Sequence, residues 1–141
     1  MATFLFKTEP SEFSYDDLQR DKRCTWDGVA NPAALASLRT CSKGDEVFIY
    51  HTGDEKAIVG LAQVTKGAYP DPNNPGENAK GEIATPVVDL KPLRRAKTPL
   101  TLATIKSDER FATFSLVKQS RLSVMPVPRE LDLAIRTLAG L

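Results

Sequence analysis

Residues 46–69 read EVFIYHTGDEKAIVGLAQVTKGAY, and this stretch decides the fold class. Glu46 to His51, with Val47-Phe48-Ile49-Tyr50 at its centre, has the apolar density of a buried strand. Ala57 to Tyr69 is a long strand candidate, and Gly60 within it signals a bulge or a close backbone approach. Only the polar connection Thr52-Gly53-Asp54-Glu55-Lys56 separates the two. Strands that follow one another without long helices between them argue against a doubly wound parallel sheet. The expected class is α+β: a closed or nearly closed mixed β-barrel of five to six strands with short flanking helices.

Working outward, Ala2 to Lys7 contains Phe4-Leu5-Phe6 and reads as another buried strand, ended by Lys7-Thr8-Glu9-Pro10. Ser14 caps a short helix from Tyr15 to about Arg20, with Asp16 and Asp17 in its first turn. Arg23 to Trp26 is a brief strand. Asn31 is a good N-cap and Pro32 suits the first helical position of the helix that follows. From Pro70 to Gly81 the composition cannot pack a core, so an exposed loop is expected. Thr85 to Leu93 returns to strand character, with Pro86 and Pro92 confining its regular part to a few residues. Thr101 caps a short helix with Leu102 and Ile105 inward. Gln119 to Val127 reads as a final strand, with Arg121 and Ser123 sharing one face. Pro128 opens a terminal helix whose Leu131, Ile135 and Leu138 recur on one side.

With 141 residues, a single domain spanning 1–141 is expected. A net charge of +1 gives no strong electrostatic bias, so a nucleic-acid partner must be held more by pocket contacts than by charge. Cys24 and Cys41 show no metal spacing, and one histidine adds little, so neither metal nor cofactor is expected. Two reduced thiols suit a cytoplasmic protein. No signal peptide opens the chain and no apolar run approaches a membrane span. Motifs for phosphate loops, dinucleotide folds, serine hydrolases and zinc proteases are absent.

The chemistry concentrates in Thr25-Trp26-Asp27-Gly28-Val29-Ala30-Asn31-Pro32. It holds the only tryptophan, flanked by polar residues, and Gly28 allows a turn or a close approach. Such a loop can stack a flat ring and read its edge, although most lone tryptophans are core residues. Stacking of a base on an aromatic ring contributes roughly 1–3 kcal/mol. Lys7, Thr8 and Glu9 offer donors and acceptors at a strand end, or a merely solvated end. Tyr50 and His51 end a buried strand, where His51 is either a ring-edge contact or a satisfied structural histidine. Arg121, with Ser123, could meet a phosphate or pair with a surface carboxylate.

At these residues the chain closely resembles the EVE domain family. The matching stretches include Phe6-Lys7-Thr8-Glu9-Pro10, Tyr15-Asp16-Asp17-Leu18, Thr25-Trp26-Asp27-Gly28-Val29, Lys43-Gly44-Asp45, Tyr50-His51, Ile58-Val59-Gly60, Ala68-Tyr69-Pro70-Asp71-Pro72 and Ser120-Arg121-Leu122-Ser123-Val124. They come in the family's order across nearly the whole chain. The resemblance implies a PUA-like mixed β-pseudo-barrel, similar to YTH domains, that recognises a modified base, in particular modified cytosine in DNA. It implies a pocket made by Lys7, Thr8, Glu9, Trp26, Asp27, Gly28, Val29, Asn31, Tyr50 and His51. The chain departs from the family at Phe4 and near Thr85, where a tryptophan is common, and at Ala30, where arginine is usual.

The expected partner is thus a modified nucleobase in DNA or RNA, flipped or single-stranded, bound by a monomeric, non-catalytic module. The first rival is a small amidohydrolase acting on a modified nucleoside, as in the related ASCH domains, using Lys7, Thr8 and Glu9. Strand alternation should turn Thr8 away from the other two. The second rival is a protein-interaction module using the 70–81 loop, which offers little apolar area for an anchor.

Overall fold

The structure, a computed structural model, describes residues 1–141. Six strands, β1 (Thr3–Thr8), β2 (Cys24–Trp26), β3 (Glu46–His51), β4 (Ala57–Pro70), β5 (Pro86–Thr101) and β6 (Val124–Pro126), form one sheet in the order β2-β5-β4-β3-β1-β6. β1 runs parallel to β3, with Lys7 opposite Tyr50 and Thr8 opposite His51, and the other pairings are antiparallel. Three strands separate β1 from β2. In a flat sheet that order would put them roughly 19 Å apart, at about 4.8 Å per strand. Yet the rings of Phe6 on β1 and Trp26 on β2 lie 5.3 Å apart. The sheet is therefore curled into a half-barrel with its core inside the curl.

No ladder joins the two edge strands. Helix α2 (Pro32–Arg39) fills the opening instead, packing against β6 on one side and β5 and β4 on the other with Ala34 and Leu38 buried. Its short apolar face, spaced for one side of a helix, needs only this gap to fill.

Helix α1 (Tyr15–Asp21) starts at a capping box: Ser14 Oγ accepts from the Asp17 N–H, and Asp17 reciprocates with the Ser14 N–H. It rests on β4 where Gly60 stands, because a Cβ there would meet the Tyr15 ring at 2.5 Å. The Tyr15 hydroxyl donates to the Leu61 carbonyl at 2.7 Å. The β4 pairing shifts register at Gly60, the bulge that this glycine signals.

Helices α3 (Leu102–Lys106) and α4 (Ser115–Lys118) flank a 3₁₀ turn at Glu109–Phe111, and α5 (Arg129–Ala139) closes the described chain. Residues 71–85 carry only an isolated bridge between Glu77 and Ile83, and Arg39 Nε donates to the Ile83 carbonyl at 2.8 Å, tying this exposed stretch to α2. No helix is long and apolar enough to cross a membrane.

Three local expectations are corrected. β5 runs unbroken through Pro92 to Thr101, because Pro92 pairs with Ala62 next to a register shift, where a missing N–H breaks no regular ladder. Residues 119–123 form a turn rather than a strand: the Gln119 N–H bonds to Ser115 and the Leu122 N–H to Gln119, leaving only Val124–Pro126 in the sheet. On α5, Leu131, Ala134, Ile135 and Ala139 are buried, while Leu138 lies at the exposed margin.

Candidate functional site

The curl leaves a cavity of about 490 Å³ between the end of β1 and the loop that follows β2. Lys7, Thr8 and Glu9 line it from one side. Trp26, Asp27, Gly28, Val29 and Ala30 line it from the other, and Ser123 lines it beside Lys7.

Local rules shape the β2 side. Thr25 Oγ1 donates to Asp89 on β5 at 2.9 Å, and the Tyr69 hydroxyl donates to the same carboxylate oxygen at 2.6 Å, fixing β2 against its neighbour. Gly28 takes a left-handed φ of 76° with no atom within 4 Å of an added Cβ, so the glycine serves the turn rather than a tight contact. Asn31 Oδ1 accepts from the Ala33 and Ala34 N–H groups at 2.9 and 3.2 Å, which starts α2 and anchors the far end of the loop. Between these anchors Asp27, Gly28 and Ala30 are exposed.

Trp26 itself is only 8% exposed. Its ring meets Phe6 at a 49° tilt and Phe13 edge-on, at 6.2 Å and 82°. Most of the indole belongs to the core, and a narrow strip of it forms cavity wall.

On the β1 side, Lys7 Nζ donates to the Ser120 carbonyl at 2.9 Å and stands 5.8 Å from the Tyr50 ring centre. Burial pulls its pKa below the ordinary lysine value. The Lys7 N–H donates to the Ser123 carbonyl at 2.8 Å, which holds Ser123 beside the cavity. Thr8 Oγ1 donates to the Phe13 carbonyl at 2.6 Å. Glu9 accepts from Thr52 Oγ1 at 3.1 Å and from Ser11 Oγ at 3.3 Å. Thr8 lines the same cavity as its neighbours, counter to strict alternation, because β1 ends at Thr8 and Glu9 is already past the strand. The three side chains nonetheless engage separate partners and not one another, an arrangement unlike a linked catalytic triad.

The structure does not bring every expected residue to this cavity. Asn31 is occupied as the α2 cap. Tyr50 faces a second cavity beyond Lys7. His51 is buried: Nε2 accepts from the Tyr15 N–H at 3.0 Å, and Nδ1 lies 2.7 Å from Glu55 Oε1. That pattern places the ring proton on Nδ1: Nε2 joins α1 to the end of β3, and Nδ1 ties the strand end to the β3–β4 connection. Arg121 lies in the 119–123 turn and borders a separate depression with Asn31, away from Ser123.

Glu12, Phe13 and Cys24 also line the cavity and were not singled out by sequence. Phe13 carried the one usable signal, a lone aromatic in an otherwise polar segment from Pro10 to Ser14. The lining has one amine, on Lys7, and three carboxylates, on Glu9, Glu12 and Asp27. Such a cavity suits a ligand edge that donates hydrogen bonds and repels a phosphate. The Cys24 thiol is pushed up to about 12, by burial first and then by Asp89, Asp27 and Asp21, so it is no nucleophile at neutral pH. Nowhere do three histidine, cysteine or carboxylate groups gather as metal ligands would.

Comparison with known proteins agrees with this architecture. A family model described as the EVE domain matches residues 2–138. Human thymocyte nuclear protein 1 is 32% identical over 155 aligned positions, covering 90% of this chain and 69% of the human protein. A protein from Rhodopseudomonas palustris, solved by NMR, is 37% identical with a TM-score of 0.88, covering 99% of this chain and 94% of its own. The crystal structure of human THYN1 protein in complex with DNA containing 5-methylcytosine is 29% identical with a TM-score of 0.86, covering 100% of this chain and 99% of that one. An ASCH protein from Zymomonas mobilis, 17% identical with a TM-score of 0.55 and 97% and 95% coverage, shares the fold alone.

Proposed function

The chain belongs to the EVE domain family, and on that footing we propose that residues 1–141 form a single, monomeric, non-catalytic domain that binds a modified base of DNA or RNA in the cavity between β1 and the Trp26 loop. The observation that carries this reading is the cavity itself. Its volume falls within the roughly 300–1,000 Å³ of small-ligand sites, and one side of it is aromatic while the other is polar. The human relative bound to 5-methylcytosine DNA supplies the ligand class.

The lining favours an amine-bearing base. Carboxylates accept from the exocyclic amine of cytosine. Asp27, exposed in the loop, is the acceptor we assign. Trp26 and Phe13 flank the ring, and Val29 adds an apolar surface for a methyl group. Gly28 supplies the turn that presents Asp27 to the base. Lys7, Thr8, Glu9 and Ser123 form the facing wall. Asn31 acts indirectly, by anchoring the far end of the loop, whereas His51 serves the fold and not the base. Ala30 leaves a cavity wall open where family members usually carry arginine, so a modification larger than methyl fits this chain's pocket as well. A base buried this way must be flipped or single-stranded, which favours modified or weakly paired bases. Outside the cavity, Arg121 contacts the backbone phosphate.

The two unpaired thiols fit a reducing compartment, and we place the protein in the cytoplasm. The name of the relatives points to the nucleus, which is also reducing.

The test is equilibrium binding of short single strands that differ only in one 5-methylcytosine. The modified strand is expected to bind at least several-fold tighter, and Phe13→Ala to erase most of that difference. Equal binding of both strands would remove the base-reading role. Release of an acyl group from an acylated nucleoside, abolished by Lys7→Ala, would establish the amidohydrolase reading instead.

A further inference from the structure

The carboxylates around the base cavity raise a question of charge. A nucleic-acid strand whose base enters it must carry its phosphates past Glu9, Glu12 and Asp27. Those phosphates need a neighbouring surface of the opposite sign.

A second cavity, of about 280 Å³, lies directly beyond Lys7, which lines both. Lys56 and Lys106 line it as well, with the Thr52 and Ser120 segments between, and no carboxylate is among its lining residues. One carboxylate stands at its margin, that of Glu9, which lies beside Gly53 and accepts from Thr52 Oγ1 at 3.1 Å. The chain's ion pairs all use arginine or His51, so none of these lysines is neutralised by one. Lys56 holds a left-handed φ of 46° at the start of β4, while its carbonyl accepts from the Leu102 N–H at 2.8 Å. That bond ties Lys56 to the start of α3, the helix that carries Lys106.

The ligand class follows from the floor. Tyr50, only 3% exposed, lies beneath Lys7 and offers no free ring face. A second base would have nothing to stack on, whereas an anion would meet three ammonium groups beside the apolar sides of Leu102 and Val117.

We propose that this second cavity is a phosphodiester subsite, in which Lys56 and Lys106 hold the backbone of the strand whose base occupies the first cavity. The proposal rests on the base-binding reading for its orientation. Ser120 borders both this cavity and the depression holding Lys118 and Arg121, so the cationic surface continues around the 119–123 turn.

The test uses the full chain and the double variant Lys56→Gln/Lys106→Gln. Both side chains are exposed, and a melting curve matching that of the wild type confirms the fold. Two probes are titrated, a 5-methylcytosine nucleoside and a short single strand containing it, the strand across a salt series. The expected result is unchanged nucleoside affinity, several-fold weaker strand binding, and a salt slope shallower by about 0.7 for each phosphate that is no longer neutralised. Unchanged strand affinity and slope, with the nucleoside still bound, would overturn the subsite and leave the base reading intact. Strand binding that depends on the lysines without any nucleoside binding would keep the subsite and overturn the base reading. Binding of neither probe would overturn both.

Discussion

The Trp26 loop and the His51 strand end are built from comparable material. Each holds the only residue of its kind in the chain, each of those residues is nearly buried at 8% and 5% exposure, and each adjoins exposed acidic loop residues. Their surroundings differ in what the polar groups are already doing. Both nitrogens of His51 are engaged, by the Tyr15 N–H and by Glu55. Around Trp26 the backbone turns away at Gly28 and leaves Asp27 exposed at the edge of a cavity. The lesson is that burial and rarity do not distinguish a site from a strut. The engagement of the neighbouring donors and acceptors does.

Mutations separate the two regions, and the largest effect is expected at the tryptophan. Trp26→Ala removes an indole packed on Phe6 and Phe13 and should cost about 3–5 kcal/mol in chemical denaturation, while also abolishing base binding. His51→Ala should cost about 1–3 kcal/mol, since it leaves the buried Tyr15 N–H without its acceptor, yet the folded variant should keep wild-type base affinity. A loss of base affinity in a folded His51→Ala protein would erase the distinction. Gly28→Ala should cost about 1 kcal/mol, purely from the left-handed backbone because the added Cβ meets nothing, and should weaken base binding more than stability.

The smallest effect concerns acid–base behaviour. The Cys24 and Cys41 thiols are pushed up to about 12, chiefly by burial. Their raised folded pKa means that the unfolded chain ionises first. Their contribution to stability is therefore complete below about pH 9 and is lost as pH rises toward 12. Replacing both by alanine should flatten the alkaline fall of the denaturation midpoint. Alkylation of Cys24 in the native protein should stay slow at pH 8, although the residue borders the cavity.

Much of this was legible where local rules govern. The Ser14 and Asn31 caps, Pro32, the Gly60 bulge and the pairing of the Lys7–Glu9 segment with the Trp26 loop follow from residue type and spacing, or from the family resemblance. What was not legible depends on tertiary register. β5 passes through Pro92 because a bulge in β5 itself, at Leu93, falls beside it. Arg121 and Ser123 part company because residues 119–123 turn rather than extend. Tyr50 and His51 are neighbours in sequence, but one forms the floor of the second cavity and the other locks α1 to the sheet. Phe13 reaches the cavity only because the turn after Pro10 folds back to Thr8.

The most direct measurement of the central claim is titration of the single tryptophan's fluorescence with short strands carrying 5-methylcytosine or cytosine, with binding followed in parallel by anisotropy. The account predicts a saturable change in Trp26 emission that tracks the anisotropy for the modified strand and is much weaker for its parent. Tight binding of the modified strand with Trp26 emission unmoved would place the base elsewhere and contradict the account.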